Sequence, residues 1–242
     1  MIKNIAHRGF SGKYPENTML AFEKALEAGC TGMEFDVHLT KDDVLVIIHD
    51  EMLDRTTNGT GFVKDYTYDE LCAFDASADY KGVYGFQKIP TLREYFQQVQ
   101  NHKELITNIE LKTGIFEYPD IEKKTIAMID EFGLRRNMII SSFNHYSILR
   151  CQKLAPDIKL AFLEESCIID MGAYTKHHGV QCIHPFFPTL TPERLGEMKA
   201  NGREINAWTV NEEQYVRMLV KAGVDGIIGN FPDMVKRVLE DS

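Results

Sequence analysis

Short runs of branched apolar residues alternate along most of this chain with longer amphipathic stretches, four of which close on glycine. This rhythm builds βα units around a parallel sheet. Strands are expected near Ile2–Ala6, Gly32–Val37, Val44–Ile48, Leu105–Leu111, Met138–Ser142, Lys159–Leu163, Val180–His184, Glu204–Val210 and Val224–Ile228. That is one strand too many for an eight-stranded barrel. The extra one is Val44–Ile48, because only Leu39 to Asp43 precede it and a parallel crossover takes about a dozen residues. A hairpin needs far fewer. Helices are expected near Thr18–Glu27, Thr91–Gln100, Ile121–Phe132, Tyr146–Leu154, Pro192–Ala200 and Glu212–Lys221. Asn17 or Thr18 would cap the first, and Gly29, Gly133, Gly202 and Gly223 would end their helices. The alternation alone leaves barrel and open sheet undecided.

The rhythm breaks between Glu51 and Pro90, where a polar, tyrosine-rich segment suggests an insertion over one mouth of the fold. A length of 242 residues with 44% hydrophobic content suits one globular domain spanning 1–242, with the insertion at about 51–90. The formal charge of −9 opposes a nucleic-acid surface, which needs clustered lysine and arginine, and it likewise disfavours a membrane surface. Without an apolar signal-like run or a segment of about 20 apolar residues, a cytoplasmic protein with no stable membrane insertion is expected. The five cysteines form no Cys-x-x-Cys pair and are read as reduced thiols.

Glu34-Phe35-Asp36 places two carboxylates on one face of a strand and the ring on the other. Such a pair on a solvent-facing edge would mean nothing, but a barrel strand meets water only at its C-terminal mouth. Glu110-Leu111-Lys112 repeats the spacing on another strand. If both strands end at one mouth, three carboxylates converge there and need a hard divalent cation, Mg²⁺ or Ca²⁺. His7-Arg8-Gly9 and His49-Asp50 each follow a strand directly, where α/β enzymes hold reactive groups. Either histidine alone could be a satisfied, partly buried side chain, and Arg8 alone a surface ion pair. A hairpin turn centred between Asp42 and Asp43 would set residue 49 opposite residue 36 and bring His49 beside the carboxylates. Pro15-Glu16-Asn17-Thr18 reads locally as a helix start.

Taken in order, His7-Arg8-Gly9, Pro15-Glu16-Asn17-Thr18, Glu34-Phe35-Asp36-Val37, Thr40, His49-Asp50, Asp54-Arg55-Thr56-Thr57, Glu110-Leu111-Lys112, Ser141-Ser142-Phe143, Ala207-Trp208-Thr209-Val210-Asn211 and Gly226-Ile227-Ile228 resemble the glycerophosphodiester phosphodiesterase family. The resemblance runs almost from end to end. It implies an α/β fold, a (β/α)8 TIM-like barrel with a small insertion after the second strand region. It also implies His7 and His49 as acid and base, Glu34, Asp36 and Glu110 as ligands of one divalent metal, and Arg8 and Lys112 on phosphate oxygens. Trp208 would line the pocket beside glycerol. One departure is Gly229-Asn230, where family members often carry Thr-Asp.

The implied reaction converts a small-molecule glycerophosphodiester to glycerol 3-phosphate and an alcohol through a cyclic phosphate formed by the glycerol 2-hydroxyl. Two rival readings are lysophospholipase D activity on lysophospholipids and a noncatalytic phosphodiester-binding barrel. The first would use an apolar surface at the mouth, which Phe62, Tyr66, Tyr68, Tyr80, Tyr84 and Phe86 could supply unless they form a core of their own.

Overall fold

The computed structural model describes residues 2–241. Its strands are β1 (Lys3–His7), β2 (Gly32–Leu39), β3 (Leu45–Ile47), β4 (Ile106–Leu111), β5 (Met138–Ser142), β6 (Lys159–Glu164), β7 (Cys182–Pro185), β8 (Glu204–Ala207) and β9 (Gly226–Gly229). All except β3 pair in parallel around a closed ring, in which β9 returns to β1 and β1 to β2. The helices are α1 (Met19–Glu27), α2 (Tyr68–Leu71), α3 (Leu92–Val99), α4 (Ile121–Phe132), α5 (His145–Leu154), α6 (Met171–His177), α7 (Pro192–Ala200), α8 (Glu213–Ala222) and α9 (Pro232–Glu240). The alternation thus resolves to a TIM-type barrel. Helices α6 and α9, together with the single turn α2, are additional to those expected.

Alternate residues of each strand serve two environments. On β2, Met33, Phe35 and Val37 point outward and are fully buried under the helices. Phe35 packs edge-on against Tyr95 of α3 at 4.4 Å, and Tyr95 against Phe22 of α1 at 5.1 Å. Burying a side chain such as Phe22 or Phe35 contributes roughly 1.5–3 kcal/mol. This layer holds the wall against which the inward-facing residues are placed. At the N-terminal end of the barrel interior, Lys3 and Lys159 both donate to Glu204, at 2.9 and 2.7 Å. Asn206 bridges from Glu204 to His184 at 3.1 and 3.0 Å and links these groups across the floor.

The hairpin to β3 exists, but its register differs from expectation by one residue. Val37 pairs with Ile47, and Ile48 N–H donates to Asp36 C=O, so residue 48 and not 49 lies opposite Asp36. The loop is the cause. Thr40 N–H donates to Val44 C=O, leaving three residues in the turn, and Asp43 takes the left-handed conformation (φ 67°) that closes such loops. Thr40 Oγ1 accepts from Val44 N–H at 2.9 Å and secures it.

Between β3 and α3, Leu53, Val63, Leu71, Ala76 and Ile89 form a small cluster with Val46 and Ile48 of the hairpin, joined by Tyr66, Tyr68 and Phe74. The aromatic side chains here divide three ways. Tyr66 and Tyr68 join that cluster, Tyr80 and Tyr84 donate to the carbonyls of Tyr14 and Lys13, and Phe62 and Phe86 stay exposed. Among the described residues, no helix is long and apolar enough to cross a membrane.

Candidate active site

The C-terminal ends of β1, β2 and β4 lie side by side, and their register assembles the site. His7 pairs with Glu34 across β1 and β2, and Asp36 pairs with Glu110 across β2 and β4. Neighbours in register point their side chains the same way. Glu34, Asp36 and Glu110 therefore converge inside the barrel mouth, each offering an oxygen within 4.8 Å of the others, and all three are buried. The expectation that the strands carrying Glu34-Phe35-Asp36 and Glu110-Leu111-Lys112 end at one mouth is met.

Such a cluster strains its own ionisation. Burial, and then the charges of Asp36 and Glu110, raise Glu34 well above the ordinary carboxylate range. Burial raises Glu110 to about 7, with Lys112 opposing. Burial acts on Asp36 too, but Arg8, His49 and Lys112 outweigh it and hold this carboxylate below its usual value. Three buried oxygens that resist carrying charge together match a hard divalent cation, which would supply the missing positive charge.

Two cations border the cluster. Arg8 sits in the left-handed region (φ 55°), and its N–H lies within bonding reach of both the backbone and the side chain of Glu34. Gly9 follows at φ 78° and lets the turn press against α1, where a Cβ would come within 2.7 Å of the Ala21 backbone. Arg8 Nη1 donates to Glu16 at 3.0 Å, whereas its buried Nε makes no hydrogen bond and stands 3.5 Å from Asp36. Lys112 Nζ donates to Glu110 at 3.0 Å and to His49 Nε2 at 3.3 Å.

The two histidines adjoin the cluster at different places. His7 Nε2 is 3.9 Å from Glu34, and its Nδ1 is 2.6 Å from Asn230 Oδ1 just after β9. Because Oδ1 only accepts, Nδ1 carries the hydrogen and Nε2 faces the mouth as the basic nitrogen. Burial, then the nearby Arg8 charge, pushes the His7 pKa down to about 3. His49 lines the mouth despite the changed register, from a position beyond the end of β3 at Ile47. An ammonium donates to its Nε2, so its Nδ1–H must donate to Asp50 Oδ1, at 2.5 Å. Burial lowers the pKa of His49 as well, with Asp36 opposing.

These residues open onto a small cleft that Phe143, Leu163, Trp208 and Ile228 also line. Trp208 donates from Nε1 to His184 C=O at 2.7 Å and meets the edge of Phe143 at 5.5 Å, so its ring is held as part of the wall. All eight side chains expected from sequence therefore line or border one mouth. Four others were not assigned a place there. Asn17 caps nothing: Thr18 Oγ1 caps α1, and Asn17 Nδ2 donates to Asp36 at 2.9 Å. Glu16, Asn230 and Arg55 support site residues; Glu16 and Arg55 were signalled only by their short motifs, and Asn230 only as a departure from the family pattern.

The profile of the glycerophosphoryl diester phosphodiesterase family matches residues 7–234. The chain belongs to this family. It is 43% identical to a glycerophosphodiester phosphodiesterase of Caldanaerobacter subterraneus subsp. tengcongensis, over 95% of this chain and 94% of that one. It is 42% identical to another from Bacillus altitudinis, over 100% and 99%. Among solved structures, a phosphodiesterase of Oleispira antarctica in complex with the product sn-glycerol-3-phosphate superposes with a TM-score of 0.87, at 28% identity over 98% of this chain and 96% of that one. A putative glycerophosphoryl diester phosphodiesterase of Silicibacter pomeroyi gives a TM-score of 0.90 at 26% identity, over 100% and 94%. The family places the enzyme among phosphoric diester hydrolases.

Proposed function

We propose that this enzyme hydrolyses glycerophosphodiesters to glycerol 3-phosphate and an alcohol, using His7 and His49 as its acid and base. The observation that carries this reading is the placing of two imidazoles beside one buried carboxylate triad that also holds Arg8 and Lys112. Glu34, Asp36 and Glu110 would hold one divalent cation, Mg²⁺ or Ca²⁺. When bound, that ion supplies charge stabilisation at a phosphate oxygen and at the attacking hydroxyl. The barrel acts as one domain, with the segment at about 51–90 as its cover.

The chain's own groups then divide the work. The guanidinium of Arg8, which lines the cleft, would donate to a phosphate oxygen, and Lys112 adds a second positive charge. One histidine removes the proton of the glycerol 2-hydroxyl as it attacks phosphorus, and the other protonates the departing alkoxide. Exchanged roles then let water open the cyclic phosphate. Trp208 and Phe143, set edge to face, offer apolar surface for the carbon skeleton of glycerol.

The test is release of glycerol 3-phosphate from glycerophosphocholine by purified protein, with Mg²⁺ or Ca²⁺ and, in parallel, with chelator. Release that chelator stops supports reaction and cofactor together. Silence with several head groups under both metals would reject the reading, and hydrolysis of a lysophospholipid alone would replace it with the lysophospholipase D alternative.

A further inference from the structure

Arg55 lies in the segment between β3 and α3, outside the barrel, and touches none of the groups assigned to the reaction. Its guanidinium nevertheless joins two carboxylates that each hold a different one of them. Nε and Nη2 donate to Asp50, at 2.7 and 3.1 Å, and Nη1 and Nη2 donate to Glu16, at 3.1 and 2.6 Å. Asp50 accepts from His49 Nδ1 at 2.5 Å, and Glu16 accepts from Arg8 Nη1 at 3.0 Å. A continuous chain of charged hydrogen bonds thus runs from His49 through Asp50, Arg55 and Glu16 to Arg8.

A single exposed ion pair would have little effect, and Arg55 is nearly half exposed. Two forked contacts on one planar group are different, because each fork fixes the plane of its carboxylate as well as its position. Without them, Asp50 and Glu16, both partly open to water, could rotate towards solvent and release the groups they hold. Lysine could not replace this arrangement, since one ammonium offers no second fork.

We propose that Arg55 is a positioning residue of the active site, which sets the ring of His49 and the guanidinium of Arg8 at one fixed relative placement. The inference rests on the reading of His49 and Arg8 given above. It assigns the Asp54-Arg55-Thr56-Thr57 and Pro15-Glu16-Asn17-Thr18 motifs a shared purpose that neither local helix capping nor loop packing requires.

The experiment combines kinetics with a readout that needs no turnover. Arg55→Ala is expected to lower kcat/KM for glycerophosphocholine by about 10–100-fold, the range usual when an outer partner of a site residue is removed. Arg55→Lys should fall short of the parent by nearly as much. In the Arg55→Ala background, Asp50→Asn should cost much less than it does alone, because the link it breaks is already open. Imidazole ¹H–¹⁵N spectra should show a downfield, slowly exchanging Nδ1–H of His49 in the parent, held by Asp50, and a weakened or exchange-broadened signal in both Arg55 variants, while Lys112 at Nε2 keeps the tautomer the same. Parental kinetics and an unchanged His49 Nδ1–H signal in Arg55→Lys would overturn the proposal, as would fully additive losses in the double variant. If the parent itself does not turn over glycerophosphodiesters, the functional reading fails separately. The Nδ1–H comparison still decides the link: a changed signal supports it and an unchanged one overturns it.

Discussion

Replacing Glu34 by glutamine should act in opposite directions on the ion-free and ion-bound protein. Without a cation, Glu34 is an acid whose pKa is raised by burial and then by Asp36 and Glu110. A raised folded pKa means that protonated Glu34 favours the fold: the contribution is complete below about pH 4.3 and is lost as pH rises through the folded value. Glutamine keeps the shape and never ionises, so in chelator at pH 8 Glu34→Gln should melt no lower than the parent and should be the more stable of the two. A cation reverses the order. At a concentration 100-fold above its Kd it adds about 2.7 kcal/mol to the parent. At about 2–4 °C per kcal/mol for a chain of this size, the melting midpoint should rise by about 5–11 °C. Glu34→Gln should lose most of that rise. The assay is a thermal melt at pH 6 and pH 8 with chelator, Mg²⁺ or Ca²⁺. An equal cation response in variant and parent would refute the assignment of Glu34 as a ligand, and a variant several degrees less stable in chelator at pH 8 would refute the argument from repulsion.

His7→Ala and His49→Ala should each lower kcat by about 10²–10⁴ while the folded protein retains its melting behaviour, and full turnover by either would remove that residue from the acid–base pair. Asn230→Ala frees Nδ1 of His7 to change tautomer and should reduce kcat by about 10–100-fold with little change in KM. Rescue by Asn230→Asp, which also accepts from Nδ1–H, would distinguish orientation from packing in that kinetic comparison. Burial works against ionisation of Glu204, but its bonds from Lys159 and Lys3 prevail and hold its pKa down to about 2. Its stabilisation, about 3 kcal/mol, is therefore present above about pH 4.5 and lost as pH falls through 2. Urea unfolding at neutral pH should show Glu204→Gln weaker by about that amount, with the difference from parent shrinking as the pH approaches 2.

The strands were legible because barrel strands are apolar runs separated by helices, and β3 stood out because its connection was too short to cross over. Its register was not legible. Whether the turn holds two residues or three depends on Asp43 taking a left-handed conformation, which composition does not announce. Helix α6 was obscured because it lasts seven residues and begins after Asp170 without a side-chain cap, whereas α9 opens with proline at its first turn and could have been read. In the site, period-two spacing revealed Glu34 with Asp36, yet the pairing of Asp36 with Glu110 emerges only from the register of β2 on β4. Supporting residues were hardest to see, since Arg55 meets Glu16 across 39 positions and nothing local prefers that contact.

The hydrogen bond that orients His7 spans 223 positions, from the last residue of the first strand to just after the last strand. During synthesis at about 5–20 residues per second, His7 is added to the chain roughly 10–45 s before Asn230 is. A nascent or truncated chain can carry both histidines and all three carboxylates and still lack the partner that sets one imidazole. Competence therefore arrives with ring closure, late in the life of the nascent chain, and shortening the chain before β9 should abolish it at a single step.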